Sequence, residues 1–500
     1  MDRLQQLKER VAEVMDLRHA LALLEWDQQT YMPSGGNEAR AEQISTLSKI
    51  AHQKFISPEV GQLLEDLAPE MESAPYDSDA AALVRRTQRE YDRRTKLPMD
   101  LVARFARITS LAHETWVHAR KESNFAMFAP TLAEIVELEI EMAEAYGYLE
   151  SIYDPLMDGF EPGMKTLQLK QIFAEFRDGL VPIVQAIVEG PHKINRKFLG
   201  RKFALHQQEA FSLELLKGIG YDFQRGRQDR TAHPFTTTFS SGDVRVTNRF
   251  MEDLMTSSIF SAIHEGGHAL YDQGIPPRFD RTPLMSGASF GVHESQSRMW
   301  ENIVGRNLHF WKFWFPLAQK AFPGQLDDVS VEGFWQAINT VEPSAIRVES
   351  DEVTYNLHIM LRFEIEMGLL ERKIAVKDLP EIWNAKMEEY LGYQVKNDAE
   401  GVLQDVHWSG GSFGYFPSYS LGNLLSVQYF TRALEDIPDL YRQFERGEYG
   451  GLLTWLHENI HVYGGKYMPA ELTEKVIGGP ISPQPFLAYL RKKYGEIYGI

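Results

Sequence analysis

Cysteine is absent from all 500 residues of this chain. That one absence removes disulfides, thiolate metal ligands and a cysteine nucleophile together, and leaves His, Asp and Glu to hold any metal ion. Long apolar runs are missing too, and without a stretch of about 18 apolar residues no membrane span is predicted. The opening residues, MDRLQQLKERVAEVMDLRHA, interleave charge with apolar positions and contain no apolar core of a secretory signal; a cytoplasmic protein is the expectation. Positive charge is scarce, with 52 Lys and Arg against 70 Asp and Glu for a formal charge of −18. Such a surface repels phosphate backbones and argues against a nucleic-acid partner. Pro/Gly/Ser-rich linkers, low-complexity tracts and internal repeats are also lacking. The chain therefore reads as one large domain over residues 1–500.

What is present is helical periodicity. Leu4, Leu7, Val11 and Val14 share one helix face, and Leu132, Ile135, Val136, Ile140 and Ala143 share another. Similar patterns predict helices through 300–315, 352–373 and 425–446. The clearest β signal is Phe235–Phe239 and Val244–Thr247, separated by Ser240-Ser-Gly-Asp243 with turn chemistry. This hairpin ends just before the most informative segment. An exposed strand edge there suits binding of an extended peptide by main-chain hydrogen bonds.

That segment is His264-Glu265-Gly266-Gly267-His268. At about 100° per residue, histidines four apart lie on one side of a helix and can reach one metal ion. Glu265, between them, falls close enough to take a proton from a water that the metal polarises. Gly266 and Gly267 each cost a helix about 1 kcal/mol relative to alanine, but they permit close approach of another helix or of a substrate backbone.

Two histidines leave a catalytic zinc one protein ligand short. Asp272, four residues past His268, shares its face and more naturally supports a histidine than binds metal. The better candidate for the third ligand is Glu294, in His293-Glu294-Ser295-Gln296-Ser297-Arg298, whose polar start leads into the apolar positions Met299, Trp300, Ile303 and Val304. Taken alone that glutamate reads as a solvated helix carboxylate, and the ligand reading leans on the motif series that follows.

These motifs, with four others in order, resemble the thermostable (Taq-type) metallocarboxypeptidase family. HPF is His233-Pro234-Phe235, D-x-R-x-T is Asp243 to Thr247, and H-E-x-x-H is His264 to His268. H-E-S/G-Q is His293 to Gln296, I/N-R-x-x-A/S-D is Ile346 to Asp351, and G-x-x-Q-D-x-H-W is Gly401 to Trp408. Trp26-Asp27 and Met32-Pro33 extend the likeness toward the N-terminus. The resemblance implies a mainly α fold of the gluzincin type, with a deep central groove and a small edge sheet. It further implies a zinc exopeptidase, with cobalt able to substitute, that removes single C-terminal residues with broad specificity, proline excepted. A homodimer acting on peptides is implied as well.

Chemistry then suggests roles. His264, His268 and Glu294 hold the metal, and Glu265 is general base, then acid. An exopeptidase must recognise a free carboxylate, which the arginine fork does best, and Arg347 is the candidate, unless it pairs with Asp351 on the next turn. His407 assists it or stabilises the oxyanion, for which Tyr415 and Tyr419 are further donors. His233 and Arg245 are placed to position substrate from the hairpin. The rival readings are a helical zinc oligopeptidase or dipeptidyl carboxypeptidase, and a peptide-binding protein with a vestigial site.

Overall fold

The structure, a computed structural model, describes residues 2–191 and 193–500. Among the described residues the architecture is almost wholly helical, and the β structure is one three-stranded sheet. The expected mainly α fold with a small sheet is what the chain adopts. Its contacts gather it into two compact units, each built from three stretches: residues 1–94, 194–338 and 426–480 form the first, and 95–193, 339–425 and 481–500 the second.

The first unit opens with a long helix, Arg3–Thr30, folded back on Asn37–Phe55. Leu7, Val11 and Val14 are buried as their spacing requires. Arg40 locks the pair, with Nη2 2.8 Å from Asp27 Oδ2 and Nη1 2.6 Å from the Leu24 carbonyl oxygen. The sheet comprises β1 (Gln228–Arg230), β2 (Thr236–Ser240) and β3 (Asp243–Asn248) in the order β1-β3-β2. β2 and β3 form the expected antiparallel hairpin, with Thr236 opposite Val246 and Thr238 opposite Val244. β1 pairs in parallel with β3. Its sequence, Gln-Asp-Arg, is short and polar and gave no strand signal.

Val244 and Val246 point inward, toward the helix Met255–Gly274 that carries both site histidines. Fourteen of that helix's residues are buried, so it runs through the unit's interior instead of lying on its surface. Its neighbour is the helix Phe290–Arg298, capped by Ser289, whose side chain accepts from the Val292 N–H at 3.0 Å. The cap fixes where the helix begins and therefore which way Glu294 points. A π-helical segment, Met299–Val304, follows. The predicted helix 300–315 is consequently interrupted: the chain restarts at Leu308, where the Asn307 side chain caps a new helix by accepting from the His309 N–H at 2.9 Å. The pattern over 425–446 likewise divides into helices Pro417–Asp436 and Leu440–Phe444. Pro438 stands in the gap and cannot donate into a continuous helix.

In the second unit the helix Tyr355–Leu370 is central. Nearly every residue from Tyr355 to Leu370 is buried, including the polar or charged Asn356, His358, Arg362 and Glu366. The helix Thr166–Glu189 packs on Gln484–Tyr498 so closely that a Cβ at Gly179 would sit 2.3 Å from Leu487 Cδ1. Lys493 and Glu352, both buried, pair at 2.5 Å and tie the C-terminal helix to the segment before Tyr355.

Candidate metal centre and surrounding site

In the first unit, ligand atoms of His264, His268 and Glu294 all lie within 4.8 Å of one another. The two rings are near perpendicular, with centroids 5.0 Å apart. Their Nε2 atoms face the same oxygen of Glu294: Oε2 is 3.8 Å from His264 and 3.4 Å from His268. Two nitrogens and one carboxylate oxygen converging on a common point suit a divalent metal with an open fourth position.

The far side of each ligand is already engaged. His264 Nδ1 lies 2.9 Å from Glu301 Oε2, and His268 Nδ1 lies 2.6 Å from His293 Nδ1. His293 Nε2 is in turn 2.9 Å from Asp272 Oδ1, and the Thr238 hydroxyl donates to Asp272 Oδ2 at 2.5 Å. With His293 neutral, Asp272 holds the proton on its Nε2, leaving Nδ1 to accept from His268. Both ligand rings then present a bare Nε2 to the metal position. Glu294 is divided in the same way. Its Oε1 accepts from Arg298 Nε at 2.7 Å, while Oε2 turns toward the histidines. Burial opposes ionisation of Glu294, but Arg298, His264 and His268 outweigh it and hold the carboxyl well below the usual range. Burial likewise opposes ionisation of Glu301, yet His264 and Arg298 bring it down to about 2. Both groups are anions at neutral pH, which is the state a metal site requires.

Glu265 is nearly buried and accepts the Thr236 hydroxyl at 2.7 Å on Oε2. Thr236 and Thr238, alternate residues of β2, thus both reach the metal helix. The close packing expected at the two glycines is with protein: a Cβ at Gly267 would sit 2.7 Å from Ser297 Cα, and one at Gly266 2.7 Å from Leu216 Cδ2.

The hairpin motifs interlock. Thr247 Oγ1 donates to the Phe235 carbonyl at 3.0 Å and accepts its N–H at 2.8 Å. Arg245 Nε and Nη2 donate to Asp243 at 2.9 and 2.8 Å, and its guanidinium stacks on Trp26 at 4.6 Å and Phe239 at 4.9 Å. Its fork is therefore engaged. His233 is exposed in the loop before β2.

A second cluster lies in the second unit. Arg347 is 3% exposed and does not pair with Asp351; Asp351 instead accepts from the Val353 and Thr354 N–H groups at 3.0 Å. Arg347 Nη2 meets Asp405 Oδ1 at 2.7 Å, and Nη1 donates to the Tyr355 hydroxyl at 2.8 Å. Arg362 Nε takes the other oxygen, Oδ2, at 2.7 Å. Gln404 accepts the Arg347 N–H at 2.9 Å and donates to the Ala345 carbonyl at 2.9 Å, which pins the turn that presents the arginine. His407 Nε2 and the Tyr419 hydroxyl are 3.5 Å apart, and the His407 ring stacks on Tyr415 with centroids 5.4 Å apart. Burial pulls His407 down to about 4, Arg347 and Arg362 adding to the effect, so its imidazole is neutral near pH 7.

Sequence reasoning misses Glu301, Arg298, Thr236 and Tyr355. Of these, Arg298 carries a local signal, since it stands four residues after Glu294 on the same helix face.

Comparison with known proteins identifies relatives along nearly the whole chain. The profile of the Carboxypeptidase Taq (M32) metallopeptidase family matches residues 6–494. The chain is 42% identical to Thermostable carboxypeptidase 1 of Thermus thermophilus, with 99% of each chain covered. It is 40% identical to Carboxypeptidase 1 of Bacillus subtilis, over 96% of this chain and 95% of the relative. Among solved structures, the M32 carboxypeptidase from Deinococcus radiodurans superposes with a TM-score of 0.96 at 39% identity, covering all of both chains. The Pyrococcus furiosus carboxypeptidase superposes with a TM-score of 0.95 at 35% identity, covering 99% of each. With its paired histidines and glutamate on adjoining buried helices, the chain belongs to the Carboxypeptidase Taq (M32) metallopeptidase family and is a metallocarboxypeptidase.

Proposed function

We propose that this enzyme releases single residues from peptide C-termini, with broad specificity and proline excepted, using zinc held by His264, His268 and Glu294. The supporting observation is the approach of one Glu294 oxygen to both histidine Nε2 atoms, at 3.8 and 3.4 Å. When bound, zinc supplies Lewis acidity and lowers the pKa of a water toward neutrality; cobalt serves in its place.

Glu265 takes the proton from the attacking water and then delivers it to the leaving amine. The Thr236 hydroxyl, 2.7 Å from its Oε2, fixes which carboxylate oxygen faces the reaction. β2 lies at an outer edge of the sheet, and an extended peptide aligned there by main-chain bonds would place its end at the metal helix. His233 contacts that peptide. Arg245, with its fork filled by Asp243, acts by stiffening the hairpin.

Arg347 recognises the terminal carboxylate through the N–H groups not given to Asp405 and Tyr355. His407, neutral, donates a hydrogen bond to the oxyanion, with Tyr415 and Tyr419 as the accompanying hydroxyls. Residues 1–500 act as one catalytic domain, in a cytoplasmic homodimer.

Glu294→Ala tests the ligand set. The variant is expected to lose stoichiometric zinc and, with it, peptide hydrolysis. Full zinc content with unchanged rates would remove Glu294 from the site.

A further inference from the structure

The central helix of the second unit presents Tyr355, Arg362 and Glu366 along one face, at i, i+7 and i+11. Tyr355 accepts from Arg347, and Arg362 pairs with Asp405. Glu366 serves neither contact. Its side chain is completely buried, and its oxygens are shared between the two ends of one short segment. Trp408 Nε1 donates to Oε1 at 2.9 Å, and the Gly414 N–H donates to Oε2 at 3.1 Å. The Tyr153 hydroxyl completes the set at 2.7 Å.

Immediately outside those two anchors stand His407 and Tyr415, the stacked pair. The path between them leaves little freedom. Gly414 has φ +88°, and a Cβ there would lie 2.6 Å from the Met157 nitrogen, so only glycine brings that N–H to the carboxylate. Gly411, φ +68°, passes Glu139, whose Oε1 would be 3.0 Å from an added Cβ. Burial pushes the Glu139 carboxyl well up, and the nearby Glu366 adds to the effect; of the two acids, Glu366 is the one surrounded by hydrogen-bond donors. Burial raises Glu366 to about 7 against the opposing pull of Trp408 and Tyr153. A buried carboxylate costs more than an apolar residue of its size, and what it adds here is a fixed geometry for the segment.

We propose that Glu366 is a positioning residue: by holding Trp408 and Gly414 it sets the stacking of His407 on Tyr415, and through that pair it sets turnover. The inference rests on the oxyanion role given to His407 and Tyr415 above.

The test is a double-mutant cycle in the zinc-loaded, full-length enzyme, with kcat and KM measured on a short peptide. Glu366→Gln keeps shape but replaces one acceptor oxygen with a donor. It is expected to lower kcat about tenfold with KM within about twofold, since small misplacements of reacting groups act on turnover. Zinc content stays stoichiometric. Made in a His407→Ala background, the same substitution changes kcat by less than about twofold, because without the His407 ring no stacked pair is left for Glu366 to set. A tenfold loss in both backgrounds, or no loss in the native one, overturns the proposal. Should Glu366→Gln fail to fold, Trp408→Phe removes one anchor from the other side and must show the same dependence on His407. A fully active His407→Ala enzyme would instead overturn the oxyanion assignment itself, and this inference with it.

Discussion

The Nδ1 atoms of His268 and His293 face each other 2.6 Å apart. The proposed metal ligand His268 is thus oriented by a second histidine, which Asp272 orients in turn at 2.9 Å. Removing His293 frees the His268 ring to rotate and to exchange tautomers. His293→Ala is expected to weaken zinc binding by roughly 10–100-fold, the range typical of partners behind a metal ligand. Competition against a chromogenic chelator reads this directly, without reference to activity. Unchanged affinity would show that the helix alone orients His268.

Glu265→Gln separates binding from chemistry. Zinc content should remain stoichiometric, because Glu265 is not among the three converging ligands. Turnover should fall by at least about 10²–10⁴-fold, the usual contribution of a general base. Retained turnover would sink the base assignment.

Arg347→Ala addresses recognition of the chain end. KM for peptides with a free C-terminal carboxylate should rise more than KM for amidated analogues. Equal losses on both would assign Arg347 to the Asp405 network alone, a role its 2.7 Å contact already gives it.

The local logic of the site was legible because it is local. A helix puts His264 and His268 on one side whatever surrounds it, and the Ser240–Asp243 turn chemistry fixes the hairpin within a few residues. The glycines were legible as permission for close approach, though their neighbours, Ser297 and Leu216, lie in other helices. What escaped was long-range. Spacing offers Arg347 a partner in Asp351, one turn away, but the arginine pairs with Asp405, 58 positions on. A buried cation takes the anion that the fold brings to it, and sequence proximity does not rank the choices. Glu301 depended on the π-helical segment after Glu294, which has no periodicity of its own. β1 depended on parallel pairing with β3, which follows β2 in the chain, and its three polar residues carry no strand pattern.

Asp405 also makes a pH prediction. Burial opposes its ionisation, but Arg362 and Arg347 outweigh burial and hold the carboxyl well below the usual range. A group whose folded value lies below its unfolded value of about 3.9 stabilises fully above that pH. The contribution is lost as pH falls below about 4 toward the folded value. Asp405→Asn leaves two buried guanidinium groups without their anion and should cost roughly 3–5 kcal/mol near neutrality. Urea denaturation across pH should show the gap between native and variant narrowing below about pH 4. A gap independent of pH would mean that the carboxylate's charge is not what stabilises the cluster.

The most direct test of the whole account is a timed mass-spectrometric digest of one peptide ending in several non-proline residues. It is run with the zinc-loaded enzyme, after chelation, and after zinc is restored. The account predicts a ladder of masses shortened by one C-terminal residue at a time, halted by chelator and resumed with zinc. Internal fragments, release of dipeptides, or a ladder that continues unchanged in chelator would contradict it.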